Sequence, residues 1–480
     1  MIATYPNTSL YINGEWKQAK ARETLNVVNP ATEEVIGQVA HARQVDLDEA
    51  LESANSGFNL WKQKTPLYRY KIMRKAADLL RERSERIAVI LTTEQGKPLQ
   101  ESKLEALIGA DRIDWMAEEG RRTYGRVIPS RTDGIHQFTI KEPVGPVAAF
   151  TPWNFPINQI LQKIPAAISA GCSVILKGPE EAPASCAEVV KVFEDAGLPE
   201  GVLNLVFGIP SEISDYLISH PIIQKITFTG STEVGKKLAA KAGEYMKLST
   251  MELGGHAPAI VFQDADIDVA VKLLAGSKYR NAGQVCVAPT RLLVHASLYD
   301  EFVDNFVKTT RRLKVGNGLI PDISMGPLAH ERRIKAVEEF VNDAVSKGAE
   351  INTGGSRFEE KGYFFEPTVL TNVSLDSRIM NEEPFGPVAP ISQFCDFEEV
   401  VEEANRLPYG LAAYAYTKST KIASAIGSAL RVGIVGINNH GVAMPETPFG
   451  GTRDSGYGRE GGSEGIDAYL YSKFITQSDV

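Results

Sequence analysis

From Val147 onward the chain alternates short runs rich in β-branched and aromatic residues with stretches of helical periodicity, and no other feature restricts its fold so tightly. The runs are VAAFT at 147–151, VILK at 174–177, LNLVF at 203–207, KITFT at 225–229 and LSTMEL at 248–253, with helices reading from near Asn158, Pro183, Ser211 and Ser231. Runs of this kind, in this order, predict a parallel open sheet buried on both faces by helices. A second alternating set follows Glu252: APAIVF, a helix from Asp266, RLLVH, helices from Ser297 and Glu331, and the strands PTVLT and GLAAYAYT. It predicts a second α/β lobe. Ahead of both stand a β-like start at 9–16 and a series of helices from Asp46 to about Arg122, in which Ile72, Ala76, Leu79 and Leu80 recur on one face of a charged frame. The Gly-rich stretch 450–465 leads into DAYLYSKFIT, an ending able to add an edge strand to another subunit.

The 480 residues exceed one ordinary core and fit two or three domains. Without internal repeats, low-complexity tracts or a long charged linker, the lobes should pack tightly. A formal net charge of -9 gives no global attraction to phosphate backbones or anionic lipid, so nucleic acid and membrane are not expected partners. No window approaches the roughly 18 uninterrupted apolar residues of a membrane span, and the N-terminus MIATYPNTSLYINGEWKQAK has no basic segment followed by an apolar one; a cytoplasmic location is expected. The four cysteines, Cys172, Cys186, Cys286 and Cys395, show neither CxxC pairs nor zinc-site spacing, which predicts reduced thiols and no metal.

Four local motifs carry possible chemistry, and each has a structural alternative. FTGSTEVGKK at 228–237 is a Gly-rich strand-to-helix turn, able to present free N–H groups and a positive helix end to a phosphate. Gly230, Gly235 and Lys236 fit a P-loop but Lys237 does not, and GxGxxG is absent, so the turn is either a phosphate cradle or simply a turn. Cys286, in RNAGQVC, follows a predicted helix in a stretch too polar for a core strand, and Arg280, Asn281 and Gln284 predict an electropositive setting that favours thiolate. The other three cysteines read as buried small hydrophobes. In MELGGH, Glu252 at a strand end beside two glycines is a general base or a capping carboxylate. In TPWNFPINQ, at the carboxyl end of a strand where open α/β sheets bind ligands, Asn154 is placed to aim an amide at an oxyanion, or the segment is a Pro-rich loop around a buried Trp.

Taken together, TPWNFP, FTGSTEVG, MELGGH, GQVC, NEEPFGPV and PFGG with SGYGREGG stand in the order and at the spacings of the NAD(P)-dependent aldehyde dehydrogenase superfamily. The resemblance covers essentially the whole chain, and within the superfamily it is greatest to bacterial succinate-semialdehyde and α-ketoglutarate-semialdehyde dehydrogenases. It implies a Rossmann-type open-sheet cofactor domain at 1–124 and 144–254, a second α/β catalytic domain at 255–454, and a small β oligomerisation element at 125–143 and 470–479. It also implies a homodimer or homotetramer. Carried over residue by residue, Cys286 matches the nucleophile, Glu252 the general base, and Asn154 the side chain that holds the oxyanion with the Cys286 N–H. Lys163 and Glu460 match positioning and proton-relay residues. For the cofactor, NAD, the resemblance implies Gly230 and Ser231 at the pyrophosphate with Trp153 nearby, Lys177 and Glu180 at the adenosine ribose, and Glu383 with Phe385 on the nicotinamide side.

The expected chemistry is addition of a Cys286 thiolate to an aldehyde, hydride loss to the cofactor, and hydrolysis of the thioester by water that Glu252 deprotonates. Two rivals are a cysteine hydrolase pairing Cys286 with His256, which needs no nucleotide, and a non-enzymatic α/β protein in which Cys286 is inert. In succinate-semialdehyde enzymes two arginines and a hydroxyl grip the distal carboxylate. Arg280 fills the first place, Gln162 stands at the second, and Ala443 and Met444 occupy the stretch that would supply the hydroxyl. A short ω-carboxylate aldehyde is the expected substrate, succinic semialdehyde foremost and α-ketoglutaric semialdehyde or another aldehyde the alternative, held with weaker discrimination.

Overall fold

The computed structural model describes residues 5–478. Five parallel strands form the heart of the first sheet, in the order Leu248–Glu252, Lys225–Thr229, Val147–Phe150, Val174–Lys177, Leu203–Val206. The last four of these are buried at every position, which is why their sequences read as continuous runs rather than alternating ones. Leu10–Ile12 and Glu15–Lys17 extend one edge antiparallel. Pro156–Ala170, Pro183–Ala196 and Pro210–Ser219 connect the strands, and each of these helices begins on its proline. Two of them therefore start earlier than the Asn158 and Ser211 readings, because a proline at the first helical position forfeits an N–H that would be unbonded there anyway. The long helices Gln44–Trp61, Pro66–Gln95 and Leu99–Glu119 pack over this sheet and share its apolar core.

Strand order reverses at Val147–Phe150: the next two strands lie on one side of it and the following two on the other. That is the switch point of an open sheet, where the loops after adjacent strands diverge and leave a crevice at the carboxyl ends. The loops bordering it are the WNFP turn after Val147–Phe150 and the GSTEVG turn after Lys225–Thr229.

The second lobe holds a seven-stranded sheet ordered Glu350–Thr353, Thr368–Thr371, Val388–Phe394, Pro289–His295, Ala257–Val261, Ala412–Tyr416, Ile434–Ile437. All its neighbours are parallel except the first pair. It has its own apolar clusters on its two sides. The Gly-rich stretch after Gly450 returns to the first lobe, where Gly456–Tyr457 pairs antiparallel with Leu248–Glu252. Gly456 has φ +102, and a Cβ there would meet the Met251 carbonyl oxygen at 2.0 Å, so only glycine lets the two backbones approach.

Arg126–Ile128, Ile135–Pro143 and Leu470–Ser478 form a separate three-stranded antiparallel sheet. The terminal β run thus pairs within its own chain and stands at one edge of this sheet; residue 479 of the expected element, like residues 1–4 of the first domain, lies outside the described residues. The sequence reading had no counterpart for the hairpin Thr24–Asn29 with Glu34–Ala40. No helix among the described residues is long and apolar enough to cross a membrane.

Candidate active site

The carboxyl ends of the first sheet and the loop bearing Cys286 enclose a cavity of about 380 Å³ lined by Trp153, Asn154, Gln159, Thr229, Gly230, Ser231, Glu252, Cys286, His330, Arg333, Glu383 and Phe385 among others. Several sequence-predicted site residues from distant parts of the chain therefore meet in one place. A second cavity, about 620 Å³, lies against Phe397–Asn405 and has neither cysteine nor histidine on its walls.

The WNFP turn is held from behind. Lys97, fully buried and ion-paired with Glu105, donates to the Asn154 carbonyl at 2.8 Å and lies 3.8 Å from the Phe155 ring centroid. Glu105 in turn accepts from the N–H groups of Ile157 and Asn158, which are orphan donors of the helix Pro156–Ala170. The Asn154 side-chain amide donates to the Gln284 carbonyl at 3.1 Å, which sets it beside the Cys286 loop with a second N–H to spare. That loop turns through left-handed Asn281 and Ala282. At Gly283 (φ +74) a Cβ would meet the Gly386 carbonyl at 2.1 Å, so the Cys286 loop packs directly on the stretch that carries Glu383 and Phe385.

Cys286 keeps some surface toward the cavity. Its expected electropositive setting is not what the fold builds. Asn281 donates to the Asn154 carbonyl and Gln284 to the Asn281 carbonyl, so both brace backbone. Arg280 lies over Phe155, 5.2 Å from its centroid. Burial, and then the Glu252 and Glu383 carboxyls, push the Cys286 thiol well above its ordinary value, with Arg280 opposing. These groups favour the protonated thiol, and the Glu252 carboxyl stands beside it.

Burial pushes Glu252 up to about 8, the charge of Glu460 adding to the rise and Lys163 opposing it. Neither Glu252 oxygen has a protein hydrogen-bond partner, although Cys286 and Thr229 stand close enough to affect its ionisation. Behind it, buried Lys163 donates to Thr229 Oγ1 at 2.6 Å and is ion-paired with Glu460, whose other oxygen is unpartnered. A line of exchangeable protons runs from the cavity wall at Thr229 to Glu460.

On the far side, Ser231 caps the helix Thr232–Glu244 by accepting from the Val234 N–H, and Gly230 precedes it at the cavity edge. Lys177 and Glu180 are ion-paired at the next strand end, and Glu180 also accepts from the Gly208 N–H at 3.1 Å. Glu383 accepts from the Gly255 N–H at 3.1 Å, and burial raises its carboxyl to about 7. Phe385 sits at φ 42, edge-on to Trp153 at 5.7 Å. His330 and Arg333, which no sequence motif marked, complete this wall: His330 is edge-on to Trp153 at 5.3 Å, and Arg333 donates to the Phe385 carbonyl at 3.1 Å. Asn154, Gln159, Glu252, His330 and Arg333 all carry a buried polar atom without a protein partner, and buried polar groups are ordinarily bonded. So many unspent groups on one wall fit a large polar ligand.

His256 is not part of this site. Its ring nitrogens engage Thr290 Oγ1 at 2.7 Å and the Ile379 carbonyl at 3.0 Å, and it is absent from the cavity wall. The hydrolase pairing with Cys286 is not formed.

The model of the aldehyde dehydrogenase family matches residues 16–475. The chain belongs to that family. It is 45% identical over 471 residues to the putative 4-(hydroxymethyl)benzenesulfonate dehydrogenase of Comamonas testosteroni, covering 98% of each chain. It is 43% identical to the mitochondrial succinate-semialdehyde dehydrogenase of Oryza sativa subsp. japonica, over 98% of this chain and 89% of that one. Among solved structures, an NADP dependent enzyme of E. coli superposes with a TM-score of 0.97 at 40% identity, covering 98% of both chains. This aldehyde dehydrogenase is therefore an oxidoreductase of a family that acts on aldehydes with NAD(P), and its α/β architecture is that of the family.

The groups around the cavity fit such a dinucleotide. The helix end at Ser231 suits a pyrophosphate, the Lys177–Glu180 pair suits ribose hydroxyls, and the enclosed wall of Trp153, Phe385 and Glu383 suits the nicotinamide half. Gln162 and Arg280, expected at the substrate, do not line this cavity themselves: Gln162 accepts from Arg112, and Arg280 is exposed against Phe155 with its charge felt at Cys286.

Proposed function

We propose that this aldehyde dehydrogenase oxidises a short aldehyde with a distal anionic group to the corresponding acid through a thioester on Cys286, with succinic semialdehyde favoured and NAD preferred to NADP. The observation that carries the reading is the meeting of Cys286, Asn154 and an unpartnered Glu252 on one cavity wall. Glu252 takes the Cys286 proton, and the thiolate adds to the aldehyde carbon. Asn154 Nδ2 and the Cys286 N–H hold the resulting oxyanion. NAD, when bound, supplies the hydride acceptor for this adduct. Glu252 then deprotonates the water that hydrolyses the thioester, and Thr229, Lys163 and Glu460 return its proton toward solvent.

Three things support the anionic substrate. Arg280 makes no ion pair among the described residues. The Comamonas relative is named for a sulfonate and the rice relative for a carboxylate semialdehyde. NAD preference rests on Glu180, whose carboxylate accepts from ribose hydroxyls and repels a 2′-phosphate; the E. coli structure titled NADP dependent sets the contrary expectation. The chain divides by this reading into cofactor segments 1–124 and 144–254, a catalytic segment 255–454 and the small sheet at 125–143 and 470–479. Val127 and Phe474 are 86% and 54% exposed on that sheet. Apolar exposure of this kind supports a homodimer or homotetramer, which a monomer mass by light scattering would refute. A cytoplasmic location follows the same reading, and a fractionation placing the protein elsewhere would count against it.

The test compares kcat/KM for succinic semialdehyde and butanal, each with NAD and NADP. A tenfold or greater preference for the anionic aldehyde is expected. Equal rates, or faster turnover of neutral or aromatic aldehydes, would refute the substrate reading, and thioester hydrolysis without any dinucleotide-dependent turnover would restore the hydrolase.

A further inference from the structure

The second guanidinium that Gln162 cannot supply is present after all, on another helix. Arg112, in Leu99–Glu119, is only 5% exposed and has no ion-pair partner within 4 Å among the described residues. One NH group donates to Gln162 Oε1 at 2.5 Å and the other to the Ala443 carbonyl at 2.8 Å, while its Nε–H has no protein partner. Guanidinium offers five N–H donors, so three remain unspent here. Carboxylates near enough to feel its charge are already committed or outside: Glu105 is paired with Lys97, Glu460 with Lys163, and Glu446 is exposed. Burying a cation without an anion is costly, and a bound anion would offset that cost.

The side chain that Arg112 bonds adjoins the cavity wall. Gln159 lines the cavity with Cys286, and Gln162 follows one turn later on the same helix, about 4.5 Å along the axis. The stretch that supplies the Ala443 carbonyl packs against the same apolar cluster as Cys286 and Phe155. In a four-carbon semialdehyde the distal carboxylate lies about 4 to 5 Å from the reacting carbon, the same scale as that single turn.

Resting on the anionic-substrate reading, we propose that Arg112 is a specificity residue that binds the substrate's distal carboxylate or sulfonate, with Gln162 and the Ala443 carbonyl presenting it. A bare arginine at Gln162 is thereby replaced by an arginine reaching in from Leu99–Glu119 and held by Gln162. Burial lowers Arg112 to about 10, which leaves it charged at neutral pH.

The test measures kcat/KM for succinic semialdehyde, a short sulfonated aldehyde and butanal in wild type, Arg112→Gln and Arg112→Lys, together with competitive inhibition by succinate. In Arg112→Gln the ratio of anionic to neutral efficiency should fall about ten- to one-hundred-fold, mostly in KM, and the succinate inhibition constant should rise in parallel. Arg112→Lys should recover part of both. Loss for one anion alone identifies which source the guanidinium reads. A ratio that survives in Arg112→Gln, or equal losses on all three aldehydes, overturns the proposal in favour of a merely structural arginine. Absence of any anionic preference in wild type overturns the substrate reading itself. Should Arg112→Gln fail to fold, the proposal is judged on Arg112→Lys and on wild type: succinate must inhibit wild type competitively and butanamide must not, and equal inhibition by the two overturns it.

Discussion

Glu252 sits where burial makes its proton hard to remove, and the consequence for turnover can be worked out from its position. With a carboxyl raised to about 8 by burial and by Glu460, only about one-tenth of the sites hold a carboxylate at pH 7 and about nine-tenths at pH 9. The group is protonated below that pH and a base above it. Where thioester hydrolysis limits the steady state, kcat should therefore climb about tenfold between pH 7 and 9. Replacing Glu252 by Gln removes the base and leaves Cys286 and Asn154 in place. Stopped-flow absorbance at 340 nm should then show a burst that still reaches about one reduced dinucleotide per site, slower than in wild type because the Cys286 proton has lost its nearest acceptor, followed by a steady rate about 10²- to 10⁴-fold below wild type and without the limb near pH 8. Glu460→Gln, which removes the adjacent negative charge and leaves Lys163 opposing, should move the wild-type limb to lower pH. A variant steady state that keeps the wild-type pH dependence, or a burst that vanishes with Glu252, would refute the deacylation role.

Two further outcomes are expected. Cys286→Ala should abolish aldehyde oxidation while dinucleotide affinity, followed by fluorescence, changes less than twofold, because Cys286 neither caps the helix that Ser231 caps nor joins the Lys177–Glu180 pair; a tenth of wild-type turnover in the variant would remove Cys286 as nucleophile. Glu180→Ser should narrow the ratio of NAD to NADP efficiency by about tenfold or more, since a hydroxyl no longer repels the 2′-phosphate, and an unchanged ratio would place cofactor choice elsewhere.

What the sequence disclosed about this fold was governed by locality. The parallel strands were readable because burial on both faces leaves an apolar run, and the WNFP and GSTEVG turns because each joins such a run to a helix. The hairpin at Thr24–Asn29 and Glu34–Ala40 was not, since most of its residues are partly exposed and no apolar run marks it. At the site, residues on motif turns were legible and residues delivered by tertiary packing were not. His330 and Arg333 enter from the start of Glu331–Ser346, Lys97 and Glu105 brace Asn154 from the helical region, and Arg112 arrives from mid-helix. The setting of Cys286 failed for the same reason. Its chain neighbours Asn281 and Gln284 spend their side chains on backbone, while the groups that set its ionisation, Glu252 and Glu383, come from far along the chain. Charge at a thiol is a property of the fold, and three adjacent residues cannot stand for it.

The same distribution of charge explains how an anionic aldehyde would enter the right way round. Three carboxyls, Glu252, Glu383 and Glu460, stand near the thiol or its proton path, while Arg112, bonded to Gln162, and Arg280, over Phe155, make no ion pair among the described residues. A distal carboxylate directed toward Cys286 would share a poorly solvated cavity, where repulsion is weakly screened, with carboxyls that become like charges as the pH rises through about 7 to 8. Directed the other way it meets cations whose donors are unspent. The uncharged aldehyde end is then the end that suits the thiol side better. Carboxylates that make Cys286 a reluctant thiolate thus contribute to orientation, and their cost to ionisation is offset by the proximity of Glu252 as its proton acceptor. On this argument the orienting effect needs both sets of charges: loss of either arginine weakens the hold on the anion, while neutralising Glu460 should also relax discrimination against a molecule bound in reverse.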